Sequence, residues 1–164
     1  MKNILISYCF FEKDITYVEN TIYFVNKAIP WTSPEYNITY NIVINGKTNI
    51  DFSKVSSLAQ VNTKVNVIQN TEGNFDASAY EKSLFFEKEK GTLQDYDYYF
   101  FINNSARGPF TPPYFKGHYL DPFMDLFNSA PDVHLVGPTI NILEVSQEQI
   151  QAPVKMFGDM INDR

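Results

Sequence analysis

The chain has 164 residues, of which 44% are hydrophobic and 16% aromatic, and this suits one domain spanning 1–164 with a substantial core. Its formal net charge of −6 comes without any basic block, which argues against binding to nucleic acid or to an anionic membrane surface. A single cysteine, Cys9, excludes an internal disulfide framework and a cysteine-based zinc cluster, and it fits a reducing, cytoplasmic location.

The first predicted elements are a strand and a helix. The apolar run "NILISYCF" (3–10) has the length of a strand and is too short to span a bilayer, as is every later apolar segment, so we expect a soluble protein. Thr16 and Glu19 then stand in capping-box spacing near the start of a helix that Pro30 ends. Apolar residues recur there at steps of three and four, which predicts one buried face: Ile15, Val18, Ile22, Val25 and Ile29.

Two more strands and a second helix follow. "ITYNIVIN" (38–45) alternates apolar and polar residues and ends at an Asn-Gly turn pair, so it predicts the second strand. "KVNVIQ" (64–69) predicts the third strand. "SAYEKSLFFEKEKG" (78–91) predicts a helix, with Gly91 placed just past its end.

The rest of the chain continues the alternation. "YDYYFFIN" (96–103) predicts the fourth strand, and Asp121 and Pro122 mark the start of a helix after a proline-rich loop. "VHLVGPTI" (133–140) predicts a fifth strand. Alternating strands and helices indicate an α/β fold with a Rossmann-like, mostly parallel sheet and helices on both faces.

Two short polar clusters flank the predicted fourth strand, and both are candidate sites. Asp95 and Asp97 precede the strand, whereas Asn103, Asn104 and Ser105 follow it, about 20 Å away at ~3.3 Å per residue. Ligands of such sheets bind outside the carboxyl ends of the strands. We therefore predict that the aspartates form a solvated turn and that the Asn-Asn-Ser cluster is functional, although these are also ordinary turn residues.

Other residues at the predicted carboxyl edge could serve the same site. Gly46 follows the second strand and lets the backbone approach a ligand closely. Asp76 stands at the entry to the second helix, either as a ligand-binding carboxylate or as a simple helix cap. Tyr80 lies one turn further on, where a ring can stack or a hydroxyl can donate a hydrogen bond.

Four segments taken in order resemble a family of small GT-A-type glycosyltransferase domains found in large algal viruses, algae and bacteria. They are "VINGK", "NTEGNFDASAY", "YDYYFFINNSARGPFTPPY" and "VHLVGPTIN". The family carries an Asp-Phe-Gly-Ala-Tyr-like segment and an Asn-Ser-Ser-x-Arg-Gly-Pro-Phe-like segment. The likeness begins near Ser7, and "NNSARGPFTPPY" is its most specific part. The resemblance implies a GT-A-like sheet.

The resemblance also implies where a nucleotide-sugar donor, UDP-linked, would bind. The segment after the first strand, with Ser7, Tyr8 and Cys9, would line the base pocket together with Asn45 and Gly46.

The resemblance further implies that residues after the third and fourth strands hold the sugar and the diphosphate. Asp76 and Tyr80 would hold the nucleotide-sugar, and Asn103, Asn104 and Ser105 would take the place where most GT-A enzymes have Asp-x-Asp. Without two carboxylates, a Mn²⁺ or Mg²⁺ ion would depend on neutral oxygens of Asn103 and Ser105, and on the diphosphate for charge.

The implied reaction transfers a sugar from the nucleotide diphosphate to a hydroxyl of a glycan acceptor. Asp76 and Arg107 are the catalytic candidates, although Arg107 has a surface ion pair as its alternative role. Glu144 and Asp159 are the only carboxylates we can suggest as the base, and a plain surface acid is the alternative for each. The chain stops at Arg164, where family members continue through further acceptor-side elements, so it is a short homologue, a fragment or one module. A non-catalytic nucleotide- or glycan-binding domain is the alternative function.

Overall fold

The computed structural model describes residues 1–71, 75–130 and 132–137. Its strands and α-helices, in chain order, are β1 (Lys2–Phe10), α1 (Ile15–Lys27), β2 (Tyr36–Asn45), β3 (Thr63–Asn70), α2 (Asp76–Glu89), β4 (Tyr98–Asn103) and α3 (Asp121–Ser129). The chain divides into two compact units, Met1–Tyr119 and Leu120–Arg164. A single domain over 1–164 stays a prediction. Among the described helices, none has both the length and the apolar character needed to cross a membrane.

The first unit is built on one sheet of four strands in the order β3-β2-β1-β4. Every pair of neighbours is parallel, and β1, in the centre, pairs with both β2 and β4. This confirms the predicted α/β class and its mostly parallel, Rossmann-like sheet. Strands buried on both faces carry near-continuous apolar runs, which is why β1 was readable from the sequence.

Helices cover both faces of this sheet, as predicted. Alternate residues of β1 point to opposite faces. Tyr8 stacks on Phe24 of α1 with 4.2 Å between ring centroids and donates a hydrogen bond of 3.2 Å to Thr21. Its neighbour Ser7 lies against α2, where its hydroxyl oxygen is 2.6 Å from that of Ser83.

Helix α1 begins at a different cap from the one predicted. The carboxylate of Asp14 accepts hydrogen bonds from the backbone N–H groups of Thr16 at 2.9 Å and Tyr17 at 3.3 Å. The expected capping box of Thr16 and Glu19 was therefore wrong. Asp14 satisfies two backbone donors of the first turn, which the residues inside the helix cannot do.

The buried face of α1 is also rotated from the predicted one. Ile15 and Ile22 were expected in the core but are 70% and 49% exposed. The buried residues of the helix are Val18, Asn20, Thr21, Phe24 and Val25. Phe24 packs on β1 and sets this face. The prediction considered only aliphatic residues and therefore left Phe24 out.

A buried carboxylate joins α2 to the sheet. Glu87 accepts hydrogen bonds from Asn41 of β2 at 3.0 Å, from Thr92 at 2.6 Å and from Tyr96 at 3.0 Å. Burial raises the pKa of Glu87, but the hydrogen bonds from Thr92, Asn41 and Tyr96, together with Lys90, outweigh it and hold the pKa below its ordinary value of 4.5. The charged form is therefore part of the folded structure.

The described part of the second unit contains α3, close to its predicted position. Asp121 is the first residue of the helix rather than its cap, and Pro122 lies in the first turn, where no intrahelical donor is needed. The predicted fifth strand is not seen over residues 133–137, which are irregular. Its remaining residues, 138–140, lie outside the described part of the chain.

Candidate functional site

The strand order reverses between β1 and β4, so the carboxyl ends of these two strands form the switch point of the sheet. The chain leaves β1 to form β2 on one side, and β4 lies on the other side of β1. Such a reversal of strand order is where open α/β sheets bind ligands. Cys9 and Asn103 are register partners at this point.

Asp76 joins these two strands to the start of α2. Its Oδ1 accepts a hydrogen bond from the Cys9 thiol at 3.6 Å, and its Oδ2 accepts one from Asn103 Nδ2 at 2.5 Å. Asp76 is the first residue of the helix and does not act as its cap, because Phe75 occupies the cap position. A carboxylate in the first turn is favoured by the helix dipole. Three predicted site residues are thus brought together.

Both the nitrogen and the oxygen of the Asn103 side-chain amide form hydrogen bonds. While Nδ2 donates to Asp76, Oδ1 accepts from the Ser105 backbone N–H at 3.1 Å and from the Ser105 hydroxyl at 2.6 Å. Both lone pairs of that oxygen are therefore in use. In this arrangement the Asn103 oxygen is not free for a divalent cation, and the single neutral oxygen of Ser105 does not make a cation site.

Asn104 is a buried structural residue. Its Nδ2 donates to the carbonyl oxygens of Phe11 at 3.0 Å and Tyr17 at 3.2 Å, and its Oδ1 accepts from the Phe11 N–H at 3.3 Å. Asn20 donates to its carbonyl oxygen at 3.1 Å. These bonds fix the loop between β1 and α1 against the end of β4.

Asn45 has a similar role at the ends of β2 and β3. Its Nδ2 donates to the Phe75 carbonyl at 3.1 Å, and its Oδ1 accepts from Asn70 at 2.8 Å and from Ser78 at 3.4 Å. The adjacent Gly46 has a φ of +86°, which favours glycine in this turn. Asn45 is 2% exposed, so it positions the start of α2 rather than offering an open polar surface.

The three residues expected to line a base pocket lie in the interior. Ser7, Tyr8 and Cys9 are each at most 1% exposed. Burial raises the pKa of the Cys9 thiol to about 12, and the charge of Asp76 and its hydrogen bond add to this effect. Burial also raises the pKa of Tyr8. As placed here, these side chains line the core on the two faces of β1.

An open groove of about 570 Å³ lies just beyond them along the chain. It is lined by residues 12–15 after β1, residues 47–50 after β2, and Val18. None of these residues is among the predicted site residues, although Lys47 ends the segment "VINGK". The available signal was their position, directly after two strands whose carboxyl ends were expected at the ligand edge.

The acidic and the basic side chains of this groove differ in how many partners they have. Glu12 accepts hydrogen bonds from the Thr48 hydroxyl and from the Asn49 backbone N–H. Lys13 lies 5.6 Å from the centroid of a tyrosine ring, and neither Lys13 nor Lys47 forms an ion pair with the residues that the structure describes. The acidic groups are therefore held by backbone and hydroxyl donors, while both ammonium groups are available to an anion.

Arg107 lies against α1. Its guanidinium is 3.2 Å from the Glu19 carboxylate, donates a hydrogen bond of 3.3 Å to Asn20 and sits 5.6 Å from the centroid of the Tyr23 ring. The surface ion pair, one of its two open roles, is therefore present. A direct role in catalysis stays a prediction.

Tyr80 faces the same side of the sheet as Asp76. Its ring is 5.1 Å from that of Phe101 and packs on the core cluster that contains Cys9. Burial, and next the charge of Asp76, raise the pKa of Tyr80 above its ordinary value of 10.0. Its hydroxyl forms no hydrogen bond with the described residues, so it can bond a ligand.

No protein-family model, curated protein or solved structure matches this chain. The likeness to the glycosyltransferase domains therefore rests on the sequence segments alone. Glu144 and Asp159, the suggested bases, lie outside the described residues. Within the described part of the chain there is no group of three or more His, Cys, Asp or Glu side chains that could hold a metal ion.

Proposed function

We propose that the protein is a glycosyltransferase that moves a sugar from a UDP-linked or other nucleotide-diphosphate sugar to a hydroxyl of a glycan acceptor. The observation that carries the proposal is the position of Asp76. It lies at the carboxyl edge of a parallel sheet, beside the β1/β4 switch point, oriented by donors from two strands. Fixed carboxylates of this kind suit the hydroxyl groups of a sugar.

The groove after β1 and β2 supplies the second part of the proposed donor site. A nucleotide needs acceptors for its ribose hydroxyls and positive charge for its diphosphate. Glu12 offers carboxylate oxygen, and Lys13 and Lys47 offer ammonium groups without an ion pair among the described residues. We therefore assign the nucleotide to this groove rather than to the buried Ser7 and Tyr8.

In the reaction, the bond between the sugar carbon and the diphosphate oxygen breaks while a bond to the acceptor oxygen forms. The negative charge that grows on the diphosphate requires stabilisation by fixed positive groups. Lys13 and Lys47 fill this role, and Asp76 and Tyr80 hold the sugar in place. The acceptor hydroxyl passes its proton to a base.

A non-catalytic nucleotide- or glycan-binding domain is the second candidate. One observation favours it: the guanidinium of Arg107, expected to assist the leaving group, is engaged by Glu19 and Asn20. Binding through the groove and Asp76 would still operate in such a domain.

A panel of UDP-, GDP- and dTDP-sugars, with and without Mn²⁺, separates the two candidates. We expect release of nucleoside diphosphate with at least one donor, and more release when glycan acceptors are added. Tight binding without release would support the non-catalytic domain. Absence of both binding and release would contradict the proposal.

A further inference from the structure

The carboxylate of Asp76 is held by two side chains that face each other across neighbouring strands. Cys9 of β1 and Asn103 of β4 are register partners, and each donates to a different oxygen of Asp76. A carboxylate with one donor can still rotate about its terminal bond. With a donor on each oxygen its plane is fixed, and the remaining lone pairs are left to a ligand.

The two donors are themselves unable to move freely. Cys9 is 0% exposed and packs in a cluster with Val43, and Asn103 is held by the Ser105 hydroxyl. A thiol buried in this way does not reach a ligand bound at the carboxyl edge. Because its pKa is raised to about 12, the thiol keeps its proton near neutral pH and stays a donor.

We propose that Cys9 and Asn103 are positioning residues that act on the donor sugar only through Asp76, by fixing the plane of its carboxylate. This inference rests on the proposed function, because it assigns the sugar to Asp76. It changes the roles expected from the sequence: Cys9 is not part of a base pocket, and Asn103 is not a metal ligand. Such preorganisation lowers the entropy lost on binding.

A double-mutant cycle on donor affinity tests the inference. We expect Cys9→Ala to weaken binding of the best donor from the panel about three- to tenfold, the range of one net hydrogen bond. In the Asp76→Ala background the same substitution should have no further effect. Asn103→Ala should behave in the same way. Equal effects in both backgrounds would overturn the inference.

Val43→Ala is the matched control. Val43 is the register partner of Cys9 on β2, is equally buried and belongs to the same core cluster. It therefore reports the effect of a small cavity beside the site. We expect it to lower the melting temperature as Cys9→Ala does but to leave donor affinity within about twofold. An equal loss of affinity in Val43→Ala would show that packing, not the hydrogen bond, sets the effect.

A measurement without ligand examines the contact itself. Cys9 is the only cysteine of the chain, so its infrared S–H stretching band is unique in the spectrum. Hydrogen bonding weakens the S–H bond, so we expect the band at lower wavenumber in the wild type than in Asp76→Ala. Coinciding bands would contradict the inference.

The two readouts separate this inference from the proposed function. If the wild type binds no donor, the proposed function is overturned, and so is the effect of Cys9 and Asn103 on a sugar. The S–H band then still decides whether Cys9 aligns Asp76. Donor binding with additive effects in the cycle overturns only the positioning roles.

Discussion

Asp97 and Asn3 bond to each other twice at the amino end of β1. Asp97 Oδ2 accepts a hydrogen bond from the Asn3 backbone N–H at 2.8 Å, and the Asp97 N–H donates to the Asn3 carbonyl at 2.8 Å. The side chain of Asn3 donates to the Asp95 carbonyl at 3.0 Å. Asp95 and Asp97 thus bind the amino end of β1, at the edge of the sheet opposite to Asp76.

We predict that Asp95→Asn combined with Asp97→Asn leaves donor binding and turnover nearly unchanged. Both side chains lie at the far edge, and an asparagine at 97 keeps an acceptor oxygen for Asn3. Replacing Asn103 and Ser105 by alanine should instead slow turnover about three- to tenfold, because Asp76 then loses one of the two donors that orient it. Initial rates of diphosphate release measure both.

Both double mutants must first be shown to be folded and monodisperse. Loss of Mn²⁺-dependent activity in the Asp95/Asp97 variant, with the Asn103/Ser105 variant unaffected, would mean that the site has been placed at the wrong edge.

Asp76→Ala should weaken donor binding by about 1–3 kcal/mol, because a ligand hydroxyl loses a charged acceptor. Calorimetric titration measures the affinity, and thermal melting without ligand measures the stability. Because Asp76 also holds Cys9 and Asn103, we expect a stability loss of about 1 kcal/mol from the unpaired donors. Unchanged affinity in a folded variant would remove Asp76 from the site.

Arg107→Ala and Glu19→Ala form a matched pair, since the two side chains share one exposed ion pair of 3.2 Å. Each should lower stability by less than about 1 kcal/mol, as is usual for exposed pairs. If the ion pair is the whole role of Arg107, the two variants should have the same turnover, which is the result expected if Lys13 and Lys47 alone stabilise the leaving diphosphate. A fall of kcat in Arg107→Ala alone would instead place Arg107 at the leaving group.

Lys13→Ala combined with Lys47→Ala should weaken binding of nucleoside diphosphate by about 0.5–1 kcal/mol per lysine, the scale of exposed charge interactions. The loss should shrink as salt is raised, because the contact is electrostatic. Lys64→Ala is the control. Lys64 is exposed and lies at the amino end of β3, whereas the groove lies at the carboxyl edge of the sheet. Equal effects of all these lysines would show only a general dependence on net charge.

Glu87→Gln should change the acid stability of the fold. The folded pKa of Glu87 lies below its ordinary value of 4.5, so its charge stabilises the fold fully above that pH. This contribution is lost as the pH falls through the lower, folded pKa. Melting temperatures from pH 7 to pH 3 should therefore fall more steeply in the wild type than in Glu87→Gln. Parallel curves would exclude Glu87 as a source of the pH dependence.

Much of the sheet was predictable because its signals are local. The run over 3–10 and the alternation over 38–45 correspond to β1 and β2, and Gly91 follows α2 with a φ of +73°. Placing Asn103 and Asp97 at opposite ends of one strand required only the direction of the chain. The predicted class of fold followed from the order of these elements.

The details of the site depended on tertiary structure. The apolar run of β1 does not tell which of its residues reach an open surface, because a central parallel strand is covered on both faces, and Ser7 and Tyr8 proved to be interior. The cap at Asp14 and the exposed Ile15 show the same limit for α1, since local patterns admit several caps and faces.

By itself, the sequence determined the four strands of the sheet, the helices and the edge at which polar residues gather, because each follows from neighbours along the chain. Only the tertiary structure decided which of those polar atoms are left for a ligand. The bond between Asn103 and Asp76 joins residues 27 positions apart, and that between Asn3 and Asp97 joins residues 94 apart. Strand register and packing determine such partners. They occupy lone pairs and donors that the residue types alone would suggest are available to a ligand.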